Sequence, residues 1–126
     1  MSPQQTKGVV KASEGVEVEE VGNSEGITIQ RLIVDRDGSE RIHMRKFTMK
    51  PGAWMKFHKH DNCEHVQYFL QGKVDLKMGD DEYTVKKDDA VFIPQDTPHS
   101  YENHGDEEAK FLCIVPGIDI GTEIIE

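Results

Sequence analysis

The run Gly52-Ala53-Trp54-Met55-Lys56-Phe57-His58-Lys59-His60-Asp61-Asn62-Cys63-Glu64-His65-Val66-Gln67-Tyr68-Phe69-Leu70-Gln71-Gly72 carries the strongest signal in this chain. His58 and His60 are two residues apart, so on a strand both imidazoles point to one face, about 7 Å apart at the backbone, and both can approach one ion. His-x-His alone is a weak sign, because a solvated or hydrogen-bonded pair gives the same pattern. Two more imidazoles strengthen it. His65 opens the strand that follows, and His99 lies beyond a hairpin in Asp88-Asp89-Ala90-Val91-Phe92-Ile93-Pro94-Gln95-Asp96-Thr97-Pro98-His99-Ser100-Tyr101-Glu102-Asn103.

Outward from these segments, short apolar or β-branched stretches recur between turn signals, with no sustained helical period. Strands are expected at 16–21, 27–34, 41–50, 54–58, 65–71, 73–78, 82–86, 90–94, 99–103 and 109–115. Gly, Asn, Asp and Pro punctuate them, with Pro51-Gly52 and Gln71-Gly72 read as turns. Turns this frequent predict an all-β, antiparallel barrel or sandwich, and a closed jelly roll removes the edges that promote aggregation. One domain is expected over 16–126. Residues 1–15 are polar and weakly patterned, a flexible or peripheral segment.

A net charge of -9 over 126 residues argues against a nucleic-acid partner, since neutralising phosphates needs clustered Lys and Arg. A small-molecule substrate is expected instead. No apolar run approaches the roughly 20 residues of a membrane span, and the N-terminal residues lack a secretory pattern, so a cytoplasmic protein without a membrane partner is expected. Cys63 and Cys113 form no CxxC spacing, consistent with free thiols in a reducing compartment.

Gly52, His58, His60, His65 and Gly72 match a pattern of Gly, five residues, His-x-His, four residues, a ligand, six residues and Gly. Pro94, His99 and Asn103 match a second pattern in which Asp88 and Asp96 replace two glycines, and Asp tolerates the left-handed backbone that turn glycines adopt. Together these segments resemble the cupin superfamily, and in particular its small four-histidine members, some of which bind manganese and have oxidative cleavage of carbon–carbon double bonds attributed to them. The resemblance implies a cupin-type jelly-roll barrel and one divalent transition metal held by His58, His60, His65 and His99.

The third ligand is open between two neighbours. The three-residue spacing from His60 selects Glu64, whereas counting back six from Gly72 selects His65, and adjacent strand residues face opposite ways. His65 is preferred because the strand ending Tyr68-Phe69-Leu70-Gln71-Gly72 pins that register. Imidazole suits Zn, Cu, Fe and Ni, and the resemblance adds Mn, with Mn or Fe favoured. Met55, Gln67, Phe69, Tyr101, Phe111 and Cys113 are the expected pocket residues. His43 and His104 are expected to be structural or solvated. Cys63 is expected to be exposed and oxidisable, and Cys113 to be a buried small hydrophobe without a positive neighbour on its face of the strand.

By resemblance the leading expectation is an oxygenase acting on an unsaturated or enolisable molecule. A redox-neutral isomerase, cyclase or lyase is the alternative, and a non-catalytic binding protein the third reading. A homodimer is expected by the same analogy.

Overall fold

The computed structural model describes residues 7–125; residues 1–6 of the expected N-terminal segment, and residue 126 at the end of the expected barrel, lie outside the described residues. Among the described residues the strands run β1 (Val18–Glu20), β2 (Ser24–Ile33), β3 (Ile42–Lys59), β4 (His65–Gln71), β5 (Lys73–Met78), β6 (Asp81–Lys86), β7 (Ala90–Ile93), β8 (His99–Glu102), β9 (Ala109–Pro116) and β10 (Glu123–Ile124). They form one curled antiparallel sheet in the order β6-β5-β8-β3-β9-β4-β7, with β2 and β10 also paired to β3 and β1 to β2. The all-β jelly roll is therefore the observed architecture. No described helix is long and apolar enough to cross a membrane.

Alternation explains why the sheet curls about one interior. On β3, Phe47 and Met49 are buried while their neighbours Lys46 and Thr48 are more exposed, and β9 repeats the pattern with Phe111, Cys113 and Val115 inward. These residues join Ile29, Phe69, Leu76 and Ile93 in one core.

The sequence predicts two strands separated by a turn at Pro51-Gly52, but β3 runs through it as 18 residues. Gly52 adopts φ 84°, and its N–H donates to the carbonyl of Asn103 at 2.8 Å, so the dipeptide bends the strand without reversing it. Before the bend β3 pairs with β9, from Ile42 opposite Pro116 to Met49 opposite Ala109. After it, Trp54, Met55 and His58 pair with Glu102, Tyr101 and His99 on β8. This corner carries His58 from one side of the barrel to the other. At the end of β4, Gly72 takes φ 74°, where a Cβ would stand 2.7 Å from the Glu108 carbonyl oxygen, so both backbone angle and space require glycine.

Asp88 and Asp96 are the two non-glycine residues with positive φ among the described residues, at 73° and 66°. They stand where the motif pattern has glycine. On the outer face, Phe92 on β7, Val66 on β4, Ile114 on β9 and Met44 on β3 are successive neighbours in one row. Phe92 is 52% and Val66 47% exposed, leaving an apolar stripe on the surface.

Candidate metal centre

Three elements meet where β3 ends. His58 and His99 are opposite each other in register, His60 follows β3, and His65 opens β4 beside Ile93. The His58 and His99 rings are 4.3 Å apart by centroid, His58 and His60 5.0 Å, and His60 and His99 5.5 Å. One ligand nitrogen from each of these three residues lies within 4.8 Å of the others.

The hydrogen bonds behind the rings fit them for a cation. His58 Nδ1 lies 2.6 Å from the Lys56 carbonyl oxygen, His60 Nδ1 3.0 Å from that of Gly121, and His99 Nδ1 2.9 Å from that of Thr97. A carbonyl only accepts, so Nδ1 carries the proton and Nε2 keeps its lone pair, the tautomer a metal ligand requires. Burial also disfavours the imidazolium form, lowering the pKa of His58 and His60 and pushing His99 down to about 3. Three neutral nitrogen donors converge, a set suited to a divalent first-row ion.

His65 is brought beside this trio in a different manner. It is only 4% exposed, stacks on His60 at 4.6 Å, and desolvation pushes its pKa down to about 2. Its Nδ1 lies 3.3 Å from Cys113 Sγ and its Nε2 3.6 Å from Cys63 Sγ, so no carbonyl fixes its tautomer. Glu64 is exposed to solvent whereas His65 is buried among the imidazoles, so of the two neighbours it is His65 that faces the cluster.

The imidazoles border a cavity of about 210 Å³ whose wall includes the expected Met55, Gln67, Tyr101, Phe111 and Cys113. Phe69 departs from the expectation. It shares the inward phase of His65 and Gln67 but lies deeper in the barrel, fully buried and stacked on Phe111 at 4.7 Å, and so forms the floor beneath the wall. Phe47 also stacks on Phe111, at 5.1 Å, and Tyr101 packs against it at 5.4 Å. Gln67 Nε2 donates to the Tyr101 hydroxyl at 2.7 Å, and Gln67 Oε1 is buried without a partner. Burial raises the Tyr101 pKa well above its ordinary value, keeping the phenol protonated.

Two thiol expectations are corrected. Cys63 is 4% exposed, because it shares the inward phase of His65 two residues on. Cys113 is buried as expected but does have a cationic neighbour, Arg45, directly opposite on β3, whose Nη2 lies 3.3 Å from Cys113 Sγ. Arg45 is the principal residue of this cavity that the sequence reasoning missed. Its two-residue phase with Phe47 was the available signal. A second hollow of about 650 Å³ shares Arg31, Arg45, His60 and Thr122 with the first, and His43 borders it with Nε2 enclosed and unpartnered. His104 is exposed and bonds to Glu102.

Comparison with known proteins agrees with this architecture. The family model described as a cupin domain matches residues 45–115, which include all four clustered histidines. A protein of Methanocaldococcus jannaschii is 36% identical over 77 residues, 60% of this chain and 62% of that protein. The polyketide synthase CurC of Streptomyces cyaneus is 30% identical over 64 residues, 51% of this chain and 42% of that protein. The match thus spans less than two thirds of either relative. The 1.2 Å structure of the polyketide cyclase RemF from Streptomyces resistomycificus superposes with a TM-score of 0.88 at 24% identity, covering 95% of this chain and 87% of that one, and establishes similarity of fold.

Proposed function

The chain belongs to the cupin domain family, and from that premise we propose that it is a metal-dependent enzyme that polarises a carbonyl or enolate oxygen of a small planar molecule, in redox-neutral chemistry of the cyclase, isomerase or lyase kind. The observation that carries the proposal is the trio His58, His60 and His99, each with Nδ1 at a backbone carbonyl, opening on a cavity walled by stacked aromatic rings. These three residues, with His65 as a fourth, would hold one divalent ion. When bound, that ion supplies Lewis acidity, or electron-transfer chemistry if it is Mn or Fe.

The chain's own groups would bind and orient the substrate. Phe47, Phe111 and Tyr101 present ring faces and edges to an unsaturated molecule and exclude water. Tyr101 holds its proton at the hydroxyl while accepting from Gln67, so that proton is free to hydrogen-bond a substrate oxygen. The names of the polyketide cyclase and polyketide synthase relatives favour this reading over the oxygenase that the sequence motifs alone suggested.

The test is deuterium exchange at the α-carbon of a small β-dicarbonyl probe, followed by NMR under nitrogen with Zn-, Mn- and Fe-loaded protein. The zinc form is expected to accelerate exchange by roughly 100-fold or more over buffer, as positioned proton transfer allows. In a parallel aerobic run, dioxygen uptake stoichiometric with probe consumption by the Mn or Fe form would assign the oxygenase instead, with the redox-inert Zn form as the control. Tight binding without exchange in any metal form would leave a binding protein.

The expected homodimer is supported by the apolar row Phe92, Val66, Ile114 and Met44, a face that pairing with a second copy would cover. Light scattering at micromolar concentration should give a dimer for the native chain and a monomer for Phe92→Glu combined with Val66→Glu. A native monomer would refute it.

A further inference from the structure

We propose that Arg45 is the recognition residue for a carboxylate group of the substrate, assisted by Gln67, so that the molecule this cavity accepts is a small organic acid; this rests on the reading of the cavity as the active site. In a chain with 24 acidic and 15 basic residues, a half-buried arginine would be expected to find a carboxylate partner. Among the described residues Arg45 has none, and the other cavity-lining arginine, Arg31, is paired with Glu19 at 3.2 Å. What Arg45 does touch is a thiol sulfur, a weak acceptor, and the Phe47 ring, whose centroid is 5.3 Å from its central carbon. Its Nε is buried with no acceptor at all.

A buried guanidinium N–H left without an acceptor is costly unless something completes it. A carboxylate does so with two parallel hydrogen bonds, which is the geometry the planar fork is built to make.

The surroundings choose among anions. Arg45 Nη2, Gln67 Nε2 and His65 Nδ1 lie 3.3, 3.7 and 3.3 Å from one atom, Cys113 Sγ. The cationic group, an amide with a spare buried atom, and the edge of the histidine cluster therefore converge within the reach of one small molecule. Gln67 Nε2 spends one hydrogen on the Tyr101 hydroxyl and the other only on the weak acceptor Cys113 Sγ at 3.7 Å, so a carboxylate, which only accepts, can take the second. A planar carboxylate presents both of its oxygens to the planar fork, whereas a tetrahedral phosphate brings further anionic oxygens into a cavity that Glu20 also borders. The volume, about 210 Å³, is below the roughly 300 Å³ at which drug-sized ligands begin, so the acid is small.

The experiment is calorimetric titration of the full chain, as purified and with metal content measured, using malonate, malonamide and inorganic phosphate. The native chain is expected to bind malonate at least tenfold more tightly than either alternative. Arg45→Gln should lose about 10- to 100-fold for malonate, as expected for removing a charge-assisted hydrogen bond, with little change for malonamide and no loss of metal. Arg45→Lys, which keeps the charge without the fork, should recover part of the loss. Native-like malonate affinity in Arg45→Gln would overturn the proposal, as would equal affinity for malonate and malonamide in the native chain. Phosphate binding more tightly than malonate would overturn the carboxylate assignment. Arg45-dependent malonate binding by a chain that holds no metal would refute the metal reading while leaving this one standing.

Discussion

Replacing His58 and His99 together with alanine is expected to abolish stoichiometric metal binding, measured by elemental analysis and by competition with a chelator. The two face each other across β3 and β8, and each is held by a short backbone contact, His58 at Lys56 and His99 at Thr97. Losing an outer-shell partner of a ligand typically costs 10- to 100-fold in affinity, so losing the ligands themselves should cost well over about 100-fold for each site. Stoichiometric metal retained in the double variant would eliminate this centre. The same measurement grades the neighbours. Glu64→Ala should change little, because that side chain is exposed to solvent. His65→Ala should have an intermediate effect, on the order of tenfold, because its ring abuts His60 yet is oriented only by two sulfur atoms. Equal losses from Glu64→Ala and His65→Ala would break the link between facing and ligation.

What was legible in the sequence was local or periodic. Two imidazoles two apart on a strand must share a face, and the second motif spaced His99 so that β8 could return it to His58. Asp88 and Asp96 were readable as glycine substitutes because their tolerance of positive φ is a property of the residue itself. The failures share a different cause. Pro51-Gly52 has the local chemistry of a reversing turn, and only the partners available on either side, β9 then β8, make it a bend within β3. Arg45 went unassigned, although it keeps phase with Phe47, because its cavity-facing role depends on Cys113 lying opposite on β9. The carbonyl that fixes His60 belongs to Gly121, 61 residues away in an irregular segment with no periodicity to read.

Substituting Asn103 with alanine is expected to destabilise the fold by about 3 kcal/mol or more and to lower the thermal midpoint by roughly 10 °C, without touching a proposed ligand. Asn103 is one of the most buried polar residues of the barrel, and both its amide hydrogens and its amide oxygen are engaged. Nδ2 donates to the carbonyls of Met49 at 3.1 Å and Glu107 at 3.0 Å, while Oδ1 accepts from the Gly105 N–H at 2.9 Å. Its backbone closes the same junction, donating to the Ala53 carbonyl and accepting from the Gly52 N–H, both at 2.8 Å. The residue therefore bolts the end of β8 to the bend in β3, and alanine would strand a buried donor and two carbonyls together. Asn103→Asp separates hydrogen bonding from volume. Its shape is unchanged, but it would set a carboxylate oxygen against the Met49 and Glu107 carbonyls, so it should be at least as damaging as alanine at neutral pH. Calorimetric unfolding of both variants decides the matter: if Asn103→Asp were as stable as the native chain, space-filling and not the hydrogen bonds would hold the corner that delivers His58 to the site.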